Sequence, residues 1–272
     1  MKKNIAIVFI GLLVLFNCED VIQVDLETAE PKLVIDGTLG WIKGTSGNRQ
    51  EIKLTLTAPF FDTTIPPATG ATVTVTDQNN NTFNFIERDS SGVYRNNDFI
   101  PKLNGEYTLN VTYENETYTA TEVLTPVTDI ESVEERNNVG FAGDEKEIRA
   151  FYTDPKGEKN FYLFEFINPD TGIRNNEIYD DEFTDGNKTF AVYFDDDLKK
   201  GDTLFIVNEG ISKQFFEYVN VLLQQINIED GDPFETQPAT VRGNCINTTN
   251  PDNFPLGYFR ASEAFVFIHT VQ

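Results

Sequence analysis

The run Gly105-Glu106-Tyr107-Thr108-Leu109-Asn110-Val111-Thr112-Tyr113 is followed by Glu114-Asn115-Glu116, and Thr117-Tyr118-Thr119-Ala120-Thr121 comes back. Two strand-like segments rich in β-branched and aromatic residues, parted by a short polar break, read as a β-hairpin. Working outward, Glu51-Ile52-Lys53-Leu54-Thr55-Leu56-Thr57 alternates, placing Ile52, Leu54 and Leu56 on one face. Ala71-Thr72-Val73-Thr74-Val75-Thr76 does the same and ends in the turn Asp77-Gln78-Asn79-Asn80-Asn81, from which Phe83 and Phe85 return. Lys32-Leu33-Val34-Ile35-Asp36-Gly37 begins the first strand. Short strands with turn signals roughly every 8–12 residues make residues 31–126 an antiparallel β-sandwich of immunoglobulin-like or transthyretin-like size.

Pro126 and the polar, acidic stretch from Asp129 to Glu147 read as a boundary. Residues 127–272 then form a second antiparallel β domain, with aromatic strands at Asn160–Phe166 and Thr189–Phe194, a further strand at Asp202–Val207, and final strands from Gly257 to Ile268. One amphipathic helix is predicted near residues 212–228. Ser212 suits an N-cap, and Phe215, Val219, Leu222 and Ile226 recur at four-three-four spacing, with Phe216 and Leu223 beside them. Gly231-Asp232-Pro233 should stop it. Such a stripe belongs to a core, here against the second sheet.

The N-terminus reads differently. Met1-Lys2-Lys3-Asn4 is basic, Ile5 to Phe16 is almost wholly apolar, and Asn17-Cys18 follows. This is the layout of a signal peptide over residues 1–17, with an apolar core too short for a stable membrane span. Leu15-Phe16-Asn17-Cys18 resembles a lipobox, with bulkier residues than usual at 16 and 17, so Cys18 is the expected lipidation site and residues 18–30 an acidic tether. The other cysteine is Cys245; once Cys18 carries lipid, no intramolecular disulfide is available, and a small buried apolar setting is the ordinary one for Cys245. A cysteine nucleophile would want a histidine, and the sole one, His269, has no sequence link to it.

The formal charge is −23, and loss of residues 1–17 removes two lysines and no acid, leaving −25. A field of that sign repels nucleic acid and anionic lipid, so attachment to the bilayer falls to the acyl chain on Cys18. Asp195-Asp196-Asp197 with Gly201-Asp202 offers a cation reading through Asp195, Asp197 and Asp202, because hard cations take clustered carboxylates. Lys199 and Lys200 break the EF-hand order, which favours a strand-end turn with solvated acids. Asp180-Asp181-Glu182 and Asp185-Gly186-Asn187 form a second acidic loop of the same kind. With two cysteines and one histidine, a zinc site of the usual composition is not expected. Without a Gly-rich phosphate loop or a Gly-x-Ser-x-Gly elbow, no cofactor and no enzyme activity is expected.

Four pieces in order resemble a Bacteroidota lipoprotein family, domain-of-unknown-function family 4249. They are Cys18-Glu19-Asp20 leading to Leu33-Val34-Ile35-Asp36-Gly37; Gly92-Val93-Tyr94 with Gly105-Glu106-Tyr107-Thr108-Leu109; Phe194-Asp195-Asp196-Asp197; and Gly231-Asp232-Pro233-Phe234 through Gly257-Tyr258-Phe259. Asp36 stands where the family would have Glu. The resemblance implies an outer-membrane lipoprotein that partners a TonB-dependent receptor in nutrient uptake, and it supplies no catalytic residues. Glu19-Asp20 is similar to the acidic surface-export signals of that phylum, which favours the cell surface over the periplasmic face. The expected function is therefore a binding or accessory module. A feature favouring it would be an exposed aromatic patch built by Trp41, Tyr179 or Phe183 in loops. Two alternatives stay open: a surface glycan or peptide hydrolase, which needs acids of separated pKa in a cleft, and a structural envelope lipoprotein.

Overall fold

The computed structural model describes residues 30–59, 62–139, 145–226 and 240–272. The expected signal peptide, Cys18, most of the tether and the Gly231-Asp232-Pro233 stop lie outside them. Among the described residues the protein is mainly β, with fifteen strands and one helix, α1, over Lys213–Ile226.

The first strands are β1 (Leu33–Ile42), β2 (Gln50–Leu56), β3 (Thr72–Asp77), β4 (Thr82–Glu87), β5 (Val93–Asn96), β6 (Glu106–Tyr113) and β7 (Glu116–Val123). Alternation places their apolar residues on one face: Ile52 and Leu54 are buried while Glu51 and Lys53 point to water. The β6–β7 hairpin closes through Glu114 and Asn115, both at positive φ, which suits the right-handed twist of the strands it joins. At the β3–β4 turn, the Asp77 carboxylate accepts the amides of Asn79 (2.8 Å) and Asn81 (2.9 Å). Strand β4 pairs with β3 on one edge and β5 on the other, so the sheet turns over on itself. Leu33, Ile35, Ile52 and Leu54 then meet Val73, Val75, Leu109 and Val111 across a first apolar core. This is the expected sandwich.

The remaining strands are β8 (Ser132–Val139), β9 (Glu145–Thr153), β10 (Phe161–Ile167), β11 (Arg174–Asp180), β12 (Lys188–Asp195), β13 (Thr203–Gly210), β14 (Ile246–Asn247) and β15 (Leu256–Thr270). Twelve strands run in one sheet, β11-β10-β13-β15-β1-β2-β5-β4-β3-β6-β7-β14, and β12-β9-β8 form a second. Between the second sheet and the β10-β13-β15 part of the first lies another core, built on Ile148, Tyr152, Tyr162, Phe164, Phe166 and Ile206. Pro31–Gln272 forms one compact unit. Its first core also takes Cys245, Phe259 and Ala261 from the C-terminal part of the chain.

The stretch from Asp129 to Glu147, expected to be a polar boundary, instead contributes β8 and the start of β9. Its charges are matched across strands and to the chain end. Lys146 Nζ lies 3.3 Å from Glu135 and Arg136 3.8 Å from Glu147 across the β8–β9 pair, and Arg149 Nη2 lies 2.8 Å from Glu147 along β9 itself. As the edge of a three-stranded sheet, β8 tolerates a polar sequence that a central strand would not.

Strand β15 ties the unit together. Its first half pairs in parallel with β1 (Ile35↔Gly257 to Ile42↔Ala264), and its second half pairs antiparallel with β13 (Glu209↔Ala264 to Thr203↔Thr270). Beside the first half, the Asn244 side chain accepts the Phe259 amide (2.9 Å) and donates to its carbonyl (2.7 Å), taking the place of a neighbouring strand.

Candidate functional site

Strand β10 is buried on both sides. Tyr162, Phe164 and Phe166 enter the second core, while Leu163 points the other way, towards α1. The helix starts as its sequence predicts: Ser212 Oγ accepts the Phe215 amide at 3.2 Å. Its apolar stripe then covers Leu163 and Tyr258 through Phe215, Phe216 and Val219. Three rings join there. Phe215 meets Tyr258 edge-on with centroids 4.9 Å apart, and Tyr218 lies 5.0 Å from Tyr258.

Beyond this contact the helix and sheet diverge, leaving a cleft of about 370 Å³. Its wall is Tyr218, Val219, Leu222 and Leu223 of α1; its floor is Asp36, Thr38, Glu165, Asn176 and Arg260. Strand register brings these together: Asp36 lies opposite Tyr258, Thr38 opposite Arg260, and Glu165 opposite Asn176. Arg260 is largely buried, paired with Glu209, with its guanidinium 5.2 Å from the Phe215 ring centroid. Burial lowers its pKa, against the pull of Glu165 and Asp36. Glu165 is held 3.4 Å from Arg174. Asp36 is exposed and makes no hydrogen bond or ion pair with the described residues. Chemically this is a cleft with an apolar wall and a polar floor, on which Asp36 is the carboxylate without a hydrogen bond or ion pair among the described residues.

Two other cavities are less equipped. One of about 390 Å³ lies at the β3–β4 turn, where the Asp77 and Tyr107 oxygens are already engaged by backbone amides. Another, of about 470 Å³, opens by the N-terminus of α1, lined by Thr125, Lys159 and Ser212 among others. Behind Ser212, burial pushes the Glu122 carboxyl above the usual range even though Ser212 (3.0 Å) and Tyr258 (3.3 Å) donate to it.

The residues singled out from the sequence fall in separate settings. Trp41 lies on β1 rather than in a loop, packs against the first core, and donates its indole N–H to the Thr45 carbonyl at 2.9 Å. Tyr179 lies on β11 rather than in a loop. It packs edge-on against Phe164, its hydroxyl accepts the Val192 amide at 3.0 Å, and burial pushes its pKa up to about 12. Phe183 is in a loop and is 89% exposed. Asp195 and Asp197 come together with Asp196, but Asp202 is not in that group; its carboxylate accepts the Lys199 amide at 2.9 Å. Asp195 is engaged by the Tyr193 hydroxyl and the Asp197 amide.

The second acidic loop gains a member that sequence spacing hid. Buried Asp154, at the end of β9, places a carboxylate oxygen within 4.8 Å of those of Asp181 and Asp185. Tyr162 donates to Asp154 at 2.6 Å and Lys159 to Asp181 at 2.7 Å. Cys245 is buried in the first core, and burial pushes its thiol up to about 12, away from any nucleophilic role at neutral pH.

Among solved structures, a two-domain fibronectin type-III segment of chicken tenascin is 14% identical, covering 66% of this chain and 90% of its own, with a TM-score of 0.22. A DUF4785 family protein from Legionella pneumophila is 9% identical, covering 66% of this chain and 51% of its own, with a TM-score of 0.25. The FN1–FN3 domains of chicken CNTN1 are 12% identical, covering 59% and 56%, with a TM-score of 0.21. No curated protein matches the sequence. A family model does, over residues 19–265, taking in the first core, the cleft and most of the second core, and the chain therefore belongs to the family described as Domain of unknown function (DUF4249).

Proposed function

We propose that this protein is a ligand-binding accessory module, held at the outer membrane by lipid on Cys18 and partnered with a TonB-dependent receptor in nutrient uptake. The observation that carries the binding role is the cleft between α1 and the outer face of the sheet, where apolar side chains and a few polar groups converge on one space. The N-terminal sequence supports the anchoring, with its basic start, apolar run and lipobox-like Leu15-Phe16-Asn17-Cys18. The receptor partnership and the Bacteroidota origin rest on the family resemblance alone.

The test is affinity purification of the tagged protein from detergent-solubilised outer membranes, with mass spectrometry of what accompanies it. A TonB-dependent receptor in near-stoichiometric amount is the expected result. Recovery of the protein alone would remove the receptor role and turn attention to glycan and peptide hydrolysis assays.

A further inference from the structure

We propose that the cleft under α1 takes a small organic cation, a primary amine carried on an aromatic or branched apolar body; this rests on the reading of the cleft as a ligand site. Charge decides the class. Of the ionised groups on the floor, Arg260 is matched by Glu209 and Glu165 by Arg174. Among the described residues, Asp36 is the floor group with no hydrogen bond or ion pair; it faces the Arg260 guanidinium electrostatically, but that cation is already paired with Glu209. An incoming carboxylate would meet Asp36 and Glu165, with the nearest guanidinium already paired. An ammonium meets the Asp36 carboxylate beside aromatic rings, in a space where one cation, Arg260, already lies against Phe215. The formal charge of −23 adds a field that draws cations and repels anions.

The apolar body has its own place. Val219, Leu222 and Leu223 present aliphatic carbon along the helix side, and Tyr218 closes one end. Burying a ring there removes apolar surface from water on both partners, which supplies affinity, while Asp36 supplies discrimination. Thr38, next to Asp36 on the same face of β1, can accept a second ammonium hydrogen bond.

The test is a titration of the full chain, with leucine and valine methyl groups labelled for NMR, by three probes of one shape. They are phenethylamine, the neutral 2-phenylethanol and the anionic 3-phenylpropionate. Phenethylamine is expected to shift the methyls of Val219, Leu222 and Leu223 and to bind about fivefold more tightly than the alcohol at low salt, the worth of one partly exposed ion pair. The anion should bind most weakly. Asp36→Asn should bring amine and alcohol to the same Kd. Equal affinities in the native protein, or a preference that survives Asp36→Asn, overturns the amine assignment while leaving the cleft as a binding site. If none of the probes moves those methyls, the cleft reading falls with it.

Discussion

Glu122 stands on the inward phase of β7, following Tyr118 and Ala120 on the same face, and burial holds its carboxyl above the usual range. The folded state therefore holds that proton more tightly than the unfolded chain does. Its contribution to stability is present at low pH and is lost as pH rises through the raised pKa. Glu122→Gln, which can still accept from Ser212 and Tyr258, should match the native protein near pH 3 and exceed it at pH 8 in urea denaturation. A gap that stays constant with pH would refute this. Glu135 works in the opposite sense. Burial raises its pKa, but hydrogen bonds from the Gln272 amide, His269 and Lys146 outweigh this and hold the carboxyl below its usual value. Its stabilisation is present above the unfolded carboxylate range and lost as pH falls through the lowered pKa. Glu135→Gln should cost about 2 kcal/mol at pH 7, where hydrogen bonds to a charged acceptor are made, and the deficit should shrink on acidification. Denaturation curves at several pH values between 3 and 7 would check it.

Among the elements, α1 and the β6–β7 hairpin were plain in the sequence because local chemistry specifies them. A capping Ser212 with a four-three-four stripe, and strands parted by Glu114-Asn115, need no distant partner. Ser212→Ala should lower stability by about 1 kcal/mol through loss of the cap, read as a fall in Tm. Strands β8 and β11 were not legible. Their sequences, such as Arg174-Asn175-Asn176-Glu177-Ile178-Tyr179-Asp180, carry little hydrophobic signal, and their pairing partners decide their state. The cleft was half legible. The stripe on α1 predicted a packing face, but not that Leu163 and Tyr258 would meet it on the outer side of the sheet, nor that Asp36 and Arg260 would share its floor. Asp154 joins Asp181 and Asp185 only through the fold. Gly257 is another such point: it holds φ +85° against β1, and a Cβ there would fall 2.1 Å from the Ile35 carbonyl oxygen. Gly257→Ala should cost more than about 2 kcal/mol, from backbone strain and clash together, measured by chemical denaturation.

At the scale of the whole molecule, β15 runs through both apolar cores. Phe259 and Ala261 of β15 belong to the first core, and Phe265 and Phe267 pack against the second. A chain ending at residue 255 should therefore lose both cores and show no near-ultraviolet circular dichroism, whereas two independent sandwiches would leave the first one folded. The proposed anchoring is testable at the same scale. Cys18→Ser should move the protein from the membrane to the soluble fraction of lysed cells, and unchanged membrane recovery would argue against a lipid tether.

The parallel pairing of β1 with β15 also fixes an order of events in time. Residues 33–42 leave the ribosome or a translocation pore first, yet their edge partner, residues 256–264, follows more than two hundred residues later. Until then one side of β1 has open amides and carbonyls, and the first core lacks Phe259 and Ala261. Sequence-distant closure of this kind is slow. Until the late strand slots into place, the unpaired edge of β1 and the incomplete first core leave the nascent chain open to chaperone binding and premature aggregation.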